Sequence, residues 1–424
     1  MTQSRSVDDD SPRRVQQVGL VGRMEWGRFE TPALTAGCRS APPVLPSSPH
    51  GASAAAGSSG YDAALVLVVD ATTAEHTRGI RTVVVGILDA LADTSSRSVT
   101  VVAGPSLARE SRLPTRNVPL ARTRAGRLLY QRLLLPFDAR RLEQADDPVD
   151  RVLLLDAYAP LLPRPKGLRY AALVHDLLPL SHPEYWPPAK RLVKRAAFGS
   201  LRRRHARLFT STEYNAREIR RLVGADAHVA RFGCGQLTDE EADDALRVPL
   251  PQRLPYILFV GALEPRKGVF DLLEAFELFV SRGAGDLNLI IAGSGSGTYV
   301  ASLRKRIAVS RRPERVRIVA GAKRREILRL VAEASVLVMP TRAEGFGLPI
   351  VEALALGTPV VASDLPAIRS WAGDAVLYAP PGRPAAWLDS IQAAVAAEET
   401  RRREGQEFAR GYRWRACAAQ LAAW

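Results

Sequence analysis

Two glutamates bracket a stretch of the chain that is suited to binding a sugar, Glu344-Gly-Phe-Gly-Leu-Pro-Ile-Val-Glu352. Gly345 and Gly347 leave backbone N–H groups accessible to a ligand. Pro349 favours the first turn of a helix, so Glu352 is expected about one turn inside that helix. The two carboxylates are then expected to face one pocket. There Glu352 can accept hydrogen bonds from vicinal ribose hydroxyls, and Glu344 can hold sugar hydroxyls or stabilise a developing oxocarbenium ion. The alternative is a helix N-terminus with favourable acids, which does not explain the glycines.

Two loops earlier in the chain have features of phosphate binding. In Gly261-Ala-Leu-Glu-Pro-Arg-Lys-Gly268, Arg266 and Lys267 lie between an apolar run and a predicted helix. Two fixed positive charges there can neutralise a diphosphate leaving group. The glycines of Gly293-Ser-Gly-Ser-Gly297 permit close backbone approach to a nucleotide or a phosphate. The alternatives are a solvated basic loop and a simple flexible turn.

Short apolar runs that alternate with amphipathic segments are expected to position these loops. Such alternation predicts an α/β protein with parallel sheets. Strands are predicted at 63–70, 99–103, 152–155, 170–174, 207–210, 256–260, 287–292, 316–319, 336–339, 359–362 and 375–378. Ligands of doubly wound sheets bind beyond the carboxyl ends of the strands, which is where all three loops fall.

The chain divides by composition and pattern. Residues 1–60 are rich in Pro, Ser, Gly and Ala and are interpreted as a disordered leader. A first domain is predicted over 61–235 and a second over 255–400, separated by a Pro-bearing, acidic linker at 236–254. Residues 401–424 are predicted to form a C-terminal helix that packs back on the first domain.

Composition favours a globular protein and restricts its partners. Hydrophobic residues make up 46% and charged residues 24% of the 424 residues, and the net charge is +15. No apolar run approaches the roughly 20 residues of a membrane-spanning helix, and no secretory signal pattern opens the chain, so a cytoplasmic location is expected. Cys38, Cys234 and Cys417 have neither disulfide nor zinc-site spacing. The arginines lack the interleaved aromatic residues of a nucleic-acid surface, so no nucleic acid is expected as a partner.

The basic segment at 190–205 combines cationic residues with apolar ones. It is interpreted either as a helix lying on an anionic membrane surface, which would make the protein peripheral on the cytoplasmic membrane face, or as an ordinary core-packed helix with a solvated face.

The stretch Glu344–Glu352, the loop Gly261–Gly268, Gly293-Ser-Gly295 and Gly357-Thr-Pro-Val-Val-Ala-Ser363 together resemble the retaining glycosyltransferases of family four. The resemblance extends from about Ala63 to the C-terminus. It implies the GT-B fold, with two Rossmann-like doubly wound parallel-sheet domains facing a cleft. The first domain would bind the acceptor and the second would bind a nucleotide-sugar donor.

The resemblance also implies roles for individual residues. The donor would be bound by Arg266, Lys267, Gly293, Phe346, Gly347, Leu348 and Glu352. Arg266 and Lys267 would hold the diphosphate, Glu352 the ribose, and Glu344 with nearby backbone amides the transferred sugar. No metal or other cofactor is implied, and the one Asp-x-Asp spacing, Asp8 to Asp10, falls in the leader.

In the first domain, the segment Leu173–Glu184 looks like one carried by mannosyl- and rhamnosyl-transferring members. His175, at a predicted strand end, would face the cleft and bond the sugar or the acceptor hydroxyl, unless it is structural. GDP-mannose is the leading donor prediction, with a glycan or lipid-linked acceptor in envelope or polysaccharide synthesis. Thr77-Arg-Gly-Ile-Arg-Thr82 matches the family's glycine-rich loop, but only Gly79 remains and Arg81 stands where another glycine is usual.

Two alternatives remain open from the sequence. One is another enzyme on the same fold, such as a sugar-nucleotide epimerase or a glycan phosphorylase. The other is a non-catalytic, basic membrane-binding or RNA-binding protein that keeps the scaffold.

Overall fold

The computed structural model describes residues 66–75, 78–94, 98–141, 149–156, 167–234 and 255–424. The predicted leader at 1–60 and the predicted linker at 236–254 lie outside the described residues. Two parallel sheets, each flanked by helices, make up the described part, so the prediction of two α/β domains with doubly wound parallel sheets is confirmed.

The first sheet has seven described strands in the order β3-β2-β1-β4-β5-β6-β7, and all neighbours pair in parallel. Its strands are β1 Val66–Asp70, β2 Val99–Ala103, β3 Thr115–Asn117, β4 Val149–Leu154, β5 Arg169–Val174, β6 Arg207–Thr210 and β7 Ala227–Val229. The short edge strands β3 and β7 were not predicted, because three residues carry too little apolar pattern to be recognised.

The helices of this half are α1 Arg78–Thr94, α2 Pro105–Glu110, α3 Arg124–Leu129, α4 Leu135–Arg141, α5 Leu178–Ser181, α6 Pro188–Arg203 and α7 Glu213–Val223. A π-turn at Tyr130–Leu134 joins α3 to α4. Local chemistry sets the ends of α7. The Thr212 hydroxyl accepts the N–H of Asn215 at its start, and Gly224 adopts a left-handed conformation, φ 69°, at its end.

The second sheet has six described strands in the order β10-β9-β8-β11-β12-β13. They are β8 Tyr256–Val260, β9 Asn288–Ala292, β10 Val316–Val319, β11 Val336–Met339, β12 Val360–Ser363 and β13 Leu377–Ala379. The helices are α8 Val269–Ser281, α9 Gly297–Ala308, α10 Arg324–Ala332, α11 Leu348–Ala355, α12 Pro366–Ala372, α13 Pro384–Ala396, α14 Glu398–Ala409 and α15 Trp414–Ala422.

Apolar runs without polar alternation explain why both sheets are buried on two faces. In β8, Ile257 and Phe259 pack into one hydrophobic cluster, whereas Tyr256 and Leu258 pack into another on the opposite face. Successive side chains of a strand point to opposite faces, so each strand supplies two cores.

The strand orders place a topological switch point in each sheet, because the winding reverses between β1 and β4 and again between β8 and β11. Loops diverge at such a point and leave a crevice at the carboxyl ends of the strands. In the second sheet this crevice is flanked by the loop after β8, with Arg266 and Lys267, and by the loop after β11, with Glu344. The fold therefore brings these two predicted loops to one place.

The C-terminal helix α15 packs against α1 of the first half. Its residues Cys417, Ala418 and Leu421 belong to the hydrophobic cluster that also contains Val84 and Leu88 of α1. The end of the chain therefore crosses from the second sheet's side of the molecule to the first.

Candidate functional site

The loops after β8 and β11 meet through an ion cluster. Glu344 Oε2 lies 2.5 Å from Lys267 Nζ and 4.0 Å from Arg266 Nη1. Arg266 Nη1 also donates to the carbonyl of Ala343 at 3.0 Å, and the backbone N–H of Arg342 donates to the carbonyl of Arg266 at 2.7 Å. The two loops are therefore tied together at the switch point by charge and by backbone bonds.

Gly268 allows these loops to approach each other. It has φ 65°, and a Cβ at this position would lie 1.9 Å from the carbonyl oxygen of Pro340. Only glycine tolerates both the left-handed backbone and the contact. The glycine that ends the basic loop thus places Lys267 beside Glu344.

Glu344 is held as an anion. Burial would raise the pKa of its carboxyl group, but the nearby positive charges of Lys267 and Arg266 outweigh burial and keep the pKa below its usual value. Because an ammonium has three N–H donors, the bond from Lys267 to Glu344 leaves others for a ligand.

Glu352 lies in α11, as its spacing from Pro349 predicts, and its side chain is only 3% exposed. Arg324, the first residue of α10, donates to both of its oxygens, at 3.0 Å and 2.6 Å. The sequence interpretation missed this partner. The available signal was the basic pair Lys323-Arg324 after β10, which repeats the pattern of Arg266-Lys267 after β8.

Gly293 follows β9, and the group that lies close to its Cα belongs to a neighbouring loop of the protein. A Cβ at Gly293 would lie 1.9 Å from the carbonyl oxygen of Gly261, and one at Gly295 would lie 2.0 Å from that of Leu263. The 293–295 turn therefore packs directly on the loop that carries Arg266, which gives these two glycines a structural reason.

Phe346 stacks on Trp371, with ring centroids 4.5 Å apart, and meets Phe232 of the first half edge-on at 5.2 Å. The indole N–H of Trp371 donates to the carbonyl of Phe346. Gly347 has φ 88° and begins α11, and the partly buried Leu348 packs against the same hydrophobic cluster. The side chains of Phe346 and Leu348 thus anchor the stretch from Glu344 to Glu352 in the core.

His175 lies beside this stretch. Asn215 Nδ2 donates to the carbonyl of His175 at 3.3 Å and to that of Gly345 at 3.1 Å, and a Cβ at Gly345 would lie 2.6 Å from Cβ of Asp176. His175 Nε2 lies 2.7 Å from the carbonyl of Leu155, which can only accept, so Nε2 carries a hydrogen, and Nδ1 can accept whenever the ring is neutral.

Two buried aspartates, Asp70 and Asp156, lie at the first sheet's switch point, and the sequence did not predict them as a pair. Asp70, at the end of β1, accepts from Gln131 Nε2 at 2.5 Å, and Asp156, just after β4, accepts from Lys194 Nζ at 3.1 Å. Burial raises the pKa of Asp70 in spite of its hydrogen bonds. Burial acts in the same direction on Asp156, but Lys194 and His175 lower its pKa overall.

Trp186 joins this side of the crevice to the loop that carries Arg266. Lys190 Nζ lies 3.8 Å from the centre of the Trp186 ring, and Arg266 Cζ lies 6.0 Å from the same centre. The indole N–H of Trp186 is buried and has no hydrogen-bond partner among the described residues. This aromatic residue was not singled out from the sequence.

The interpretation of Gly79 as part of a loop was wrong. Residues 78–82 are helical, and Gly79 is exposed in the first turn of α1, with open space around the position of a Cβ. Arg81 is bound to Glu110, at 2.5 Å, and to Ser106. The helical spacing of the apolar residues after Gly79 prevails over the loop pattern.

No group of three or more His, Cys, Asp or Glu side chains among the described residues is arranged to hold a metal ion. In the same part of the chain, none of the helices has the length and apolar character needed to cross a bilayer.

Residues 243–409 match the family model of group 1 glycosyl transferases. The chain is 33% identical over 211 residues to D-inositol 3-phosphate glycosyltransferase of Corynebacterium efficiens, which covers 47% of this chain and 48% of the relative. It is 27% identical over 267 residues to O-antigen chain mannosyltransferase B of Escherichia coli, covering 59% and 68%. The chain thus spans about half the length of the inositol-phosphate relative.

Solved structures with the same fold include sucrose-phosphate synthase of Thermosynechococcus elongatus, with a TM-score of 0.64, 17% identity and coverage of 85% of this chain and 98% of that one. Anabaena HepE in complex with UDP-glucose has a TM-score of 0.63 and 15% identity, with the same coverage. These likenesses establish the GT-B fold.

Proposed function

We propose that this chain, whose residues 243–409 form a group 1 glycosyltransferase domain within a GT-B fold, transfers a hexose from a nucleotide sugar to a glycan or lipid-linked acceptor. The observation that carries the proposal is the ion cluster of Arg266, Lys267 and Glu344 at the switch point of the second sheet. Lys267 pairs with the buried Glu344 and Arg266 pairs with Glu264, whose Oε1 lies 2.6 Å from Arg266 Nε. Lys267 keeps further N–H donors that the oxygens of a diphosphate can accept.

The proposed reaction breaks the bond between the anomeric carbon and the diphosphate, and the electron pair leaves with the diphosphate. Arg266 and Lys267 stabilise the charge that develops there, without a metal ion. The acceptor oxygen attacks the anomeric carbon from the face that the diphosphate leaves, so the configuration is retained and the hydroxyl proton can pass to the departing phosphate oxygen.

Glu344 is proposed to act in two ways. Its bond to Lys267 orients the ammonium, and its carboxylate faces the stretch from Gly345 to Gly347 that is proposed to hold the transferred sugar. Glu352 would accept the ribose hydroxyls once Arg324 shares or releases it. His175, through its Nδ1 acceptor, would bond the sugar or the acceptor hydroxyl.

GDP-mannose is the proposed donor, supported by the mannosyltransferase among the relatives and by the segment around His175. The acceptor is proposed to belong to envelope or polysaccharide synthesis, with the enzyme on the cytoplasmic membrane face. HepE, which was solved with UDP-glucose, makes a uridine donor the alternative for the test below.

The proposal is tested by incubating the full chain with radiolabelled nucleotide sugars and membrane extract, alongside thermal shifts with GDP, UDP, ADP and dTDP. We expect incorporation that survives chelator, a shift largest with GDP, and loss of at least about a hundredfold in rate for Lys267→Ala. The exposed Lys305→Ala is the matched control and should keep full activity. Failure of every nucleotide sugar to bind or transfer would refute the proposal.

A further inference from the structure

The helical segment formed by α3, the π-turn and α4 exposes large apolar side chains to solvent. Leu129, Leu133, Leu134 and Phe137 are all exposed, Phe137 by 51%, and they form what we call the apolar face. Of the seven large hydrophobic residues exposed in the described part of the chain, four lie on this face, and a fifth, Leu120, lies in the turn Pro119–Arg122 that precedes α3. At about 1.5 Å per residue, the face extends for about 12 Å along the helix axis.

The π-turn creates this face. The N–H of Leu135 bonds to the carbonyl of Tyr130 and so adds one residue to the turn. As a result two neighbours, Tyr130 and Gln131, both point inward, where they bond Asp138 and Asp70. Leu133 and Leu134 then both point outward. The polar bonds inside the domain therefore hold the leucines in solvent.

The charge around the apolar face selects its partner. Residues 119–141 contain six arginines and one aspartate, and Asp138 is bound to Arg116. Arg122, Arg124 and Arg132 are exposed. A second copy of the chain would bring like charges together, whereas an anionic lipid surface would meet both the leucines and the arginines favourably.

Lys190 and Trp186 of the first half lie beside the loop that carries Arg266. Burial lowers the pKa of Lys190, and so do the positive charges of Lys194 and Arg124, whereas the negative charges of Asp176 and Glu264 raise it. Lys190 in turn covers Trp186, and Trp186 contacts Arg266 of the donor loop. The surface of α6 next to the crevice therefore carries charges of both signs.

We propose that the apolar face inserts into the interfacial region of an anionic membrane, with the surrounding arginines on the lipid head groups. This deepens the proposed function, since it names the surface on which a lipid-linked acceptor would be met. It also places the membrane contact on the 124–141 segment and not on α6, for which a membrane contact was one of the two interpretations of the sequence.

The test is co-sedimentation of the full chain with vesicles of phosphatidylcholine alone or mixed with phosphatidylglycerol. We expect binding only to the mixed vesicles, weakened by salt, and at least about tenfold weaker binding for Leu133→Glu and Phe137→Glu. The control is Val309→Glu, because Val309 is also an exposed apolar residue, at 77%, but lies on the second half of the molecule, away from the apolar face. It should bind as the wild type does, and all variants should keep the wild-type melting temperature.

Loss of binding confined to Leu192→Glu would place the contact on α6 and overturn the proposal. So would concentration-dependent dimerisation that Phe137→Glu abolishes, or equal binding to both vesicle types. The assay needs neither donor nor acceptor. Vesicle binding without transferase activity would therefore refute the proposed function alone, and transfer to a soluble acceptor without vesicle binding would refute the docking surface alone.

Discussion

At the residue scale, the two glutamates that the sequence pairs in one pocket each have their own cationic partner. Glu344 is held by Lys267, and Glu352 is held by Arg324. A buried carboxylate is costly unless it is compensated, so both cations are needed before any ligand arrives. Both carboxylates are thus fixed in place by ion pairs within the protein.

Removing the partner of Glu352 should destabilise the fold. We expect Arg324→Gln to lower the free energy of unfolding by about 1–3 kcal/mol, less than for a fully buried pair because Arg324 is partly exposed. Glu352→Gln combined with Arg324→Gln should cost at least about 0.5 kcal/mol less than the sum of the single changes. Urea unfolding measures all three. Arg312→Gln, from an exposed pair with Glu314 at 3.7 Å, is the control and should stay within about 0.5 kcal/mol of wild type.

The lowered pKa of Glu344 predicts a pH dependence of stability. The unfolded-state pKa of a glutamate is about 4.3, and the folded-state value here lies below it. The stability contributed by the ionised carboxylate is therefore fully present above about pH 4.3 and is lost as the pH falls through the folded-state pKa. The difference in unfolding free energy between wild type and Glu344→Gln should shrink with acid over that range. A difference that stays constant would contradict the ion cluster.

At the element scale, glycines decide how closely the loops of the second sheet pack, whereas Gly79 has no such role. A Cβ at Gly268, Gly293 or Gly295 would lie only 1.9 to 2.0 Å from a neighbouring carbonyl oxygen. Gly79 is helical and has open space around it. At such a position in the first turn of a helix, glycine mainly adds conformational entropy to the unfolded chain.

Gly79→Ala should therefore stabilise the protein by about 0.5–1 kcal/mol and leave hexose transfer intact. Gly293→Ala should instead destabilise it by more than about 2 kcal/mol, because the contact is with backbone that cannot move aside. Urea unfolding and the transfer rate measure both effects. Loss of transfer in a folded Gly79→Ala variant would restore the interpretation of this segment as a ligand-binding loop.

At the scale of the whole molecule, the C-terminal helix α15 is locked to the first half by one tryptophan. A Cβ at Gly86 of α1 would lie 2.5 Å from the Trp414 ring, and one at Gly233 would lie 2.6 Å from it. Phe232, next to Gly233, contacts both Trp414 and Phe346. The same aromatic cluster therefore joins the C-terminal helix α15, the first half and the stretch from Glu344 to Glu352.

Gly86→Ala should lower the free energy of unfolding by about 1–3 kcal/mol, because the added methyl overlaps the indole ring. When Trp414→Leu is combined with Gly86→Ala, part of the lost unfolding free energy should be recovered, because the smaller side chain leaves room for the added methyl group. Gly79→Ala, on the same helix, is the matched control. Equal effects of Gly79→Ala and Gly86→Ala on urea unfolding would show that α15 does not pack where the structure has it.

The sequence by itself determined the strand and helix alternation and the loops that carry Arg266, Lys267 and Glu344. These follow from local patterns: apolar runs predict strands, and glycine, proline and charge after a strand predict a ligand loop. The doubly wound architecture then brings the loops together at a switch point without any knowledge of their contacts.

Only the tertiary structure decided the partners and the exposed surfaces. Arg324 reaches Glu352 from a different helix, and Asn215 reaches Gly345 across 130 residues of chain. The π-turn turns Leu133 and Leu134 outward because its inward residues form hydrogen bonds elsewhere in the domain. Tyr130 bonds Asp138 of α4, and Gln131 bonds Asp70 of β1. These contacts depend on packing and charge pairing between residues that are far apart in the chain. Residue type and spacing within one segment therefore do not predict them.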